Sequence, residues 1–349
     1  MNKISTRKFL YEKVLVTGGT GFLGLRLVMQ LLNDGYDVRT TTRKKSGQAR
    51  IMKVLESYGV KNLQNLSFIE ADLSNDNNWL EAMQDREYVF SVASPVFFGK
   101  IKNETDAIKP ALDGILRILK AANTSNVKRV VMTSNFGAVG FSKKQGLTTE
   151  SDWTDPEEKG LSIYEKSKLL AEQTAWKYVN QPEVNLEFVT VNPVAIFGPS
   201  LDQHVSGSFD LLKNLLTDTN KRIPDLPLNV VDVRDVVDIE VRAMETPEAK
   251  FKRFIASADG QISMKEIAEL IKTQRKSLKD KVTDKTIPNW LIDVAAVFNS
   301  RAREGKLMMH MNRKVSNQQA KDILGWTPIS DNQQAVLSAV DSLVKYDLI

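Results

Sequence analysis

Val14-Leu15-Val16-Thr17-Gly18-Gly19-Thr20-Gly21-Phe22-Leu23-Gly24 is the stretch that decides the fold. A short apolar strand runs into a glycine-rich turn, and Leu25, Leu27, Val28, Leu31 and Leu32 predict an apolar helix after it. The glycines at 18, 21 and 24 follow a G-x-x-G-x-x-G spacing. Gly18 permits the sharp turn, Gly21 lets a backbone amide reach a phosphate, and Gly24 lets the helix lie close to the strand. The helix N-terminus then offers unpaired N–H groups and a positive dipole end to a pyrophosphate. A βα turn that needs glycines for packing alone has the same local pattern, so what lies downstream matters.

Downstream, strands and helices alternate. Strands are expected at 13–17, 37–42, 66–70, 88–93, 127–133 and 186–191, with helices from the glycine turn to 33 and at 107–122. Repeated βα units predict a doubly wound parallel sheet covered by helices on both faces, an α/β fold of the Rossmann type. After Asn192-Pro193 the prolines at 193, 199, 224 and 227 break the pattern. A short strand returns at 230–233, a helix follows at 236–244, and Ser263 and Glu266 open another at 263–273 as a capping box. The expected organisation is a polar extension (1–12) and a dinucleotide-binding domain (13–195, with 228–258 returning to it). A smaller mixed α/β substrate lobe takes 196–227 and 259–349.

Composition narrows the function. Among 349 residues, 48 Lys and Arg stand against 43 Asp and Glu, for a net charge of +5. The basic residues are scattered among acids, which argues against nucleic acid as the partner. Cysteine is absent, excluding disulfides, thiolate nucleophiles and cysteine-ligated metals. Two histidines, His204 and His310, are too few and too far apart for a histidine-rich metal site or a Ser-His-Asp triad. The N-terminus has no apolar signal-peptide core, and no apolar run reaches membrane-spanning length. The expectation is a cytoplasmic protein without metal or membrane, a monomer or homodimer acting on a small molecule.

Chemistry enters at Tyr164-Glu165-Lys166-Ser167-Lys168. Tyr164 and Lys168 are four apart, which puts them on one helix face. A nearby ammonium favours the phenolate, which would make Tyr164 a workable acid or base for a carbonyl/alcohol pair. An incidental Tyr and Lys at this spacing is the plainer alternative.

The glycine turn and Tyr-x-x-x-Lys together resemble the short-chain dehydrogenase/reductase superfamily in its extended form. Ala93-Ser94-Pro95, the run Val191-Asn192-Pro193-Val194-Ala195-Ile196-Phe197-Gly198-Pro199, Val231-Asp232-Val233-Arg234-Asp235-Val236 and Leu324-Gly325-Trp326 narrow the match. They resemble the dihydroflavonol-reductase-like group of NADPH-dependent aldehyde and ketone reductases, within the NAD-dependent epimerase/dehydratase superfamily. The resemblance implies that Tyr164 gives a proton to the carbonyl oxygen. Lys168 would hold the nicotinamide ribose and keep the Tyr164 pKa low. It places NADP(H) against Gly18, Thr20, Gly21, Phe22, Leu23 and Gly24 at the turn. Farther along, the cofactor would touch Asp72, Leu73, Ala93, Ser94, Asn192 and Pro193. The substrate is expected against Pro95, Phe97, Phe136 and Tyr164. Phe98, Phe141 and Trp153 are further pocket or core aromatics, and His204 a loop residue at the lobe's edge. Asp232, Arg234 and Asp235 are expected to be structural.

One position departs from the family. The usual text is Thr-Ser-Ser, whereas this chain has Thr133-Ser134-Asn135. Asn135 can donate through its amide in place of the second serine, with Ser134 supporting it. Ser134 serving after a shift of the strand end, or loss of activity, are the other outcomes. The cofactor's form is read at Thr40-Thr41-Thr42-Arg43-Lys44-Lys45. NAD-selective sites carry an acid at this corner, and here Arg43, with Lys44, offers positive charge to a 2′-phosphate. The expected function is reduction of an aldehyde or ketone by NADPH. The alternatives are a nucleotide-sugar epimerase or dehydratase with bound NAD, and a non-catalytic NADP sensor.

Overall fold

A computed structural model describes residues 12–94, 104–216, 222–283 and 285–349. The first half supplies β1 (Lys13–Val16), α1 (Phe22–Asn33), β2 (Asp37–Thr42), α2 (Lys45–Ser57), β3 (Leu66–Glu70), α3 (Trp79–Met83) and β4 (Tyr88–Ser91). Then come α4 (Glu104–Thr124), β5 (Arg129–Thr133), α5 (Ile163–Val179) and β6 (Glu187–Pro193). The second half adds β7 (Ala195–Phe197), α6 (Phe209–Leu216), β8 (Ile223–Pro224), β9 (Pro227–Leu228), β10 (Val230–Asp232), α7 (Val233–Glu245) and β11 (Arg253–Ala256). It ends with β12 (Ile262–Ser263), α8 (Met264–Gln274), β13 (Thr286–Ile287), α9 (Asn289–Ala295), α10 (Ser300–His310), α11 (Gln318–Leu324) and α12 (Asn332–Lys345).

Side chains alternate across a strand, and apolar residues at successive positions bury both faces of the sheet. Val14, Val16, Phe90 and Val131 pack in one layer with α1 and α7. Leu15, Val89, Val130 and Phe188 pack in the other with α3, α4 and α5. The sheet has seven strands in the order β11-β6-β5-β4-β1-β2-β3, all parallel. Strand order reverses at β1, which lies between β2 and β4. Such a switch point opens a crevice at the C-terminal strand ends.

Several element ends differ from expectation for identifiable reasons. β1 stops at Val16 and β4 at Ser91, because the amides of Val92 and Ala93 both donate to Thr17 Oγ1 at 3.0 Å. β5 begins at Arg129 because Asn126, with φ 56°, turns the chain out of α4. α7 begins at Val233, three residues early, because Asp232 caps it by accepting from the Arg234 amide. Asp235 accepts from Trp326 Nε1 at 3.2 Å and from the Ile329 amide at 2.7 Å, so the Asp232–Asp235 segment is scaffolding.

Beyond β6 the chain builds a second core from Phe197, Phe209, Leu212, Ile267, Val336 and Val340. β7 pairs with β10, β9 with β12 and β8 with β13. The capping box at Ser263 and Glu266 is present. β11 leaves this lobe to complete the central sheet beside β6. Its first residue, Arg253, meets the fully buried Glu172 of α5 at 2.8 Å and lies 3.7 Å over the Trp153 ring. Trp153 therefore packs on an arginine and lies outside the cavity lining.

Candidate active site

The C-terminal ends of β1, β4, β5 and β6 open onto one continuous cavity of about 1420 Å³. Pockets for one drug-sized ligand span roughly 300–1,000 Å³, so this volume suits a dinucleotide and a second small molecule together.

The dinucleotide end is built by the glycine turn. Gly18 has φ +75°, and a Cβ there would stand 3.1 Å from the Ala93 Cα. A Cβ at Gly24 would overlap the Gly18 carbonyl oxygen, so α1 can lie this close only with glycine there. The threonine run of β2 pins the turn, with Thr40 donating to the Val16 carbonyl at 2.8 Å and Thr41 Oγ1 accepting from the Gly18 amide at 3.0 Å. The N-cap of α1, Gly21, brings no side chain to the helix end, and the first turn holds no acid. Gly18, Thr20, Gly21, Phe22, Leu23 and Gly24 all line the cavity, as do Arg43, Asp72, Leu73, Ala93 and Ser94. This cradle fits a pyrophosphate on its amides. Gly24→Ala is expected to cost about 1–3 kcal/mol of stability through overpacking and to weaken dinucleotide binding. Thermal unfolding and cofactor titration of the variant check both.

Two cofactor expectations change. Lys44 is the extended N-cap residue of α2 and does not line the cavity. Asn192 is fully buried, donating to Glu172 Oε2 at 2.7 Å and to the Asn135 carbonyl at 3.1 Å. It braces the floor of the site, while Pro193 beside it lines the cavity. His204 lines the cavity against Arg50 of α2, far from the catalytic helix in sequence. Arg50 itself escaped the sequence reading. It donates to the Thr20 carbonyl and pairs with Asp202 at 3.1 Å, joining α2 to the lobe across the glycine turn. Its signal was its place in the second turn of the helix that follows the basic corner at Arg43.

At the other end, Ser162 caps α5 by accepting from the Glu165 amide at 3.2 Å. This sets Tyr164 in the first turn, 49% exposed and lining the cavity. Lys168 lies one turn on, buried, with Nζ 3.4 Å from the Thr133 carbonyl. Burial lowers its ammonium to about 8, against the opposing pull of Glu165, Glu172 and Glu240. The expected lowering of the Tyr164 pKa is overturned. Burial, and then the Glu165 charge, push the phenol up to about 12. Lys168 Nζ is turned toward the Thr133 carbonyl and the buried carboxyls, and the upward push on Tyr164 favours its protonated form.

Ser134 is committed to the floor. Its hydroxyl donates to Glu172 Oε2 at 2.5 Å. Both Ser134 and Asn135 line the cavity, but the Asn135 amide faces α5, its Nδ2 donating to Glu165 Oε2 at 2.5 Å. Phe136 and Phe141 meet edge to face and line the wall, with Leu211, Leu226, Leu228 and Met308 from the lobe. Glu165 and, on α10, Glu304 add acidic groups that the sequence reading passed over. Glu165 was hidden in the variable part of Tyr-x-x-x-Lys. Pro95, Phe97 and Phe98 lie outside the described residues.

A phosphate-cradling turn at the switch point of a parallel sheet, joined by one cavity to a tyrosine and a lysine one helical turn apart, is the arrangement of a dinucleotide-dependent enzyme of the Rossmann class. The profile of the NAD dependent epimerase/dehydratase family matches residues 14–255. The chain belongs to that family, and to its dihydroflavonol-reductase-like group of extended short-chain dehydrogenase/reductases. An anthocyanidin reductase of Vitis vinifera is 32% identical over 273 residues, 73% of this chain and 79% of that protein. Ketoreductase azaE of Aspergillus niger is 32% identical over 324 residues, 84% of this chain and 92% of that one. Gre2 of Candida albicans, solved in complex with NADPH, shares the fold with a TM-score of 0.79 at 24% identity, covering 95% of this chain and 98% of that one. The chain is an oxidoreductase, and its family's cofactor is a nicotinamide dinucleotide. No helix among the described residues is long and apolar enough to cross a membrane.

Proposed function

We propose that the protein reduces an aldehyde or ketone with an apolar body to the alcohol, with NADPH as cofactor. The observation that carries this reading is the single cavity linking the basic corner at Arg43 to Tyr164. When bound, NADPH supplies the hydride taken by the carbonyl carbon. Tyr164 gives its phenolic proton to the carbonyl oxygen as charge gathers there. The Asn135 amide donates to the same oxygen, stabilising that charge. Lys168, which lines the same cavity, holds the nicotinamide ribose in this reading. The apolar wall of Phe136, Phe141, Leu226 and Met308 takes the rest of the substrate. The reductase names of the relatives support this direction, and the absence of an acid at the Arg43 corner weighs against a bound-NAD epimerase.

The test is oxidation of NADPH and of NADH, side by side, with aliphatic and aromatic aldehydes, ketones and diketones. Arg43→Ala is expected to lower the NADPH-over-NADH preference by roughly 10- to 100-fold, the worth of a charge-assisted contact to phosphate. Equal use of both cofactors by the wild type, or an unchanged preference in the variant, removes Arg43 from the 2′-phosphate.

A further inference from the structure

Asn135 stands where the family it resembles carries a serine, and both ends of its amide are clamped. Oδ1 accepts from the Ala138 amide at 3.2 Å, and Nδ2 donates to Glu165 Oε2 at 2.5 Å. The opposite flip would set NH₂ against an N–H and a carbonyl oxygen against a carboxylate, so the contacts select one orientation. In that orientation one of the two Nδ2 hydrogens is used and the other is left for the cavity that Asn135 lines. Gly137 makes this possible, because a Cβ there would overlap Glu165 Oε2.

We propose that Glu165 is a positioning residue for carbonyl reduction. Its carboxylate locks the Asn135 amide so that the free N–H meets the substrate oxygen, and the pair replaces a serine hydroxyl. This rests on the reductase reading above. Removing Glu165 leaves only the 3.2 Å bond to Ala138, and the amide regains its freedom to turn.

The pair brings a pH dependence that a serine lacks. Glu165 is flanked by Tyr164 and Lys168 on its own helix and faces Glu304 from α10. Burial raises its carboxyl to about 7. Glu304 adds to the rise, and the Asn135 bond and Lys168 oppose it. A carboxylate beside the substrate disfavours the negative charge gathering on the carbonyl oxygen. The neutral acid does not, and its carbonyl oxygen still accepts from Asn135. Reduction therefore quickens as pH falls through about 7.

The experiment compares kcat and KM for Glu165→Ala, Glu165→Gln, Gly137→Ala, Asn135→Ala and the Asn135→Ala/Glu165→Ala double variant. Asn135→Ala is expected to lower kcat about 10²-fold, as for loss of an oxyanion donor. Glu165→Ala is expected to lower it about 10-fold or more with KM for NADPH unchanged. The double variant falls no lower than Asn135→Ala, because Glu165 acts through Asn135. Gly137→Ala repeats the Glu165→Ala loss with Glu165 still present. Glu165→Gln, which mimics the neutral acid, holds kcat near the wild type's low-pH value across the range and loses the pH step. A Glu165→Ala enzyme with wild-type kcat, or losses that multiply in the double variant, overturns the proposal. NMR of protein labelled with ¹⁵N-asparagine separates this from the reductase reading. One Asn135 side-chain proton is expected far downfield in the wild type without substrate, and displaced back in Glu165→Ala. If the wild type reduces no carbonyl, the reductase reading fails. The downfield proton then still decides whether Glu165 holds the amide, and its absence from the wild type overturns the proposal.

Discussion

Tyr164→Phe lowers kcat/KM for carbonyl reduction about 10³-fold, within the range expected for losing a general acid, and leaves NADPH binding unchanged. The substitution removes one hydroxyl and keeps the ring, so packing against the first turn of α5 survives. The proton is lost from the one phenol that lines the cavity among the described residues, whose pKa is pushed up to about 12, which favours the protonated form at neutral pH. Loss in kcat at constant cofactor affinity marks an interaction made in the transition state. Steady-state kinetics with a fluorescence titration of NADPH separates the two quantities. A variant that retains wild-type kcat would move the proton source elsewhere.

Arg253→Met is expected to cost about 3–5 kcal/mol of folding stability, the penalty for leaving a buried charge without its partner. Glu172 has no solvent exposure and accepts from Ser134, Thr190, Asn192 and Arg253. Arg253 also donates to the carbonyls of Glu150 and Asp152 at 2.7 Å. Its loss frees the loop under Trp153 as well as the β11–α5 junction. Chemical denaturation followed by tryptophan fluorescence measures the change. Glu172→Gln, which keeps acceptor oxygen and removes charge, is expected to cost less than Glu172→Ala. An unchanged denaturation midpoint in Arg253→Met would show that strand pairing alone secures β11.

The nucleotide half was legible because its signals are local. Glycines, alternating apolar strands and a basic residue at a strand end are written in consecutive residues, and they led to β1, α1 and the place of Arg43 in the cavity lining. What escaped depends on contacts between distant segments. Asn192 looked like a cofactor contact beside Pro193, but its amide points to Glu172, 20 residues earlier. Glu165 sits inside a motif whose spacing draws attention to its neighbours, and its role is visible only once Gly137 and Asn135 are beside it. The upward push on the Tyr164 pKa comes from the burial of the phenol and then from the Glu165 charge, neither of which the Tyr-x-x-x-Lys spacing displays. The lobe offered little periodicity, because its two-residue strands are stabilised by pairing across 34 to 63 positions, as in Ile262 with Leu228 and Thr286 with Ile223.

The position of β11 also bears on how the chain is made. A nascent chain emerges N-terminal end first, and β6 is complete well before its outer neighbour has been translated. Until Ala256 has left the ribosome, β6 presents an open edge, the kind of surface that pairs with the wrong partner. Glu172 meanwhile waits without its cation. The nucleotide half therefore cannot mature as a finished unit while the rest is being synthesised, and translation must pass through part of the lobe before the sheet can close.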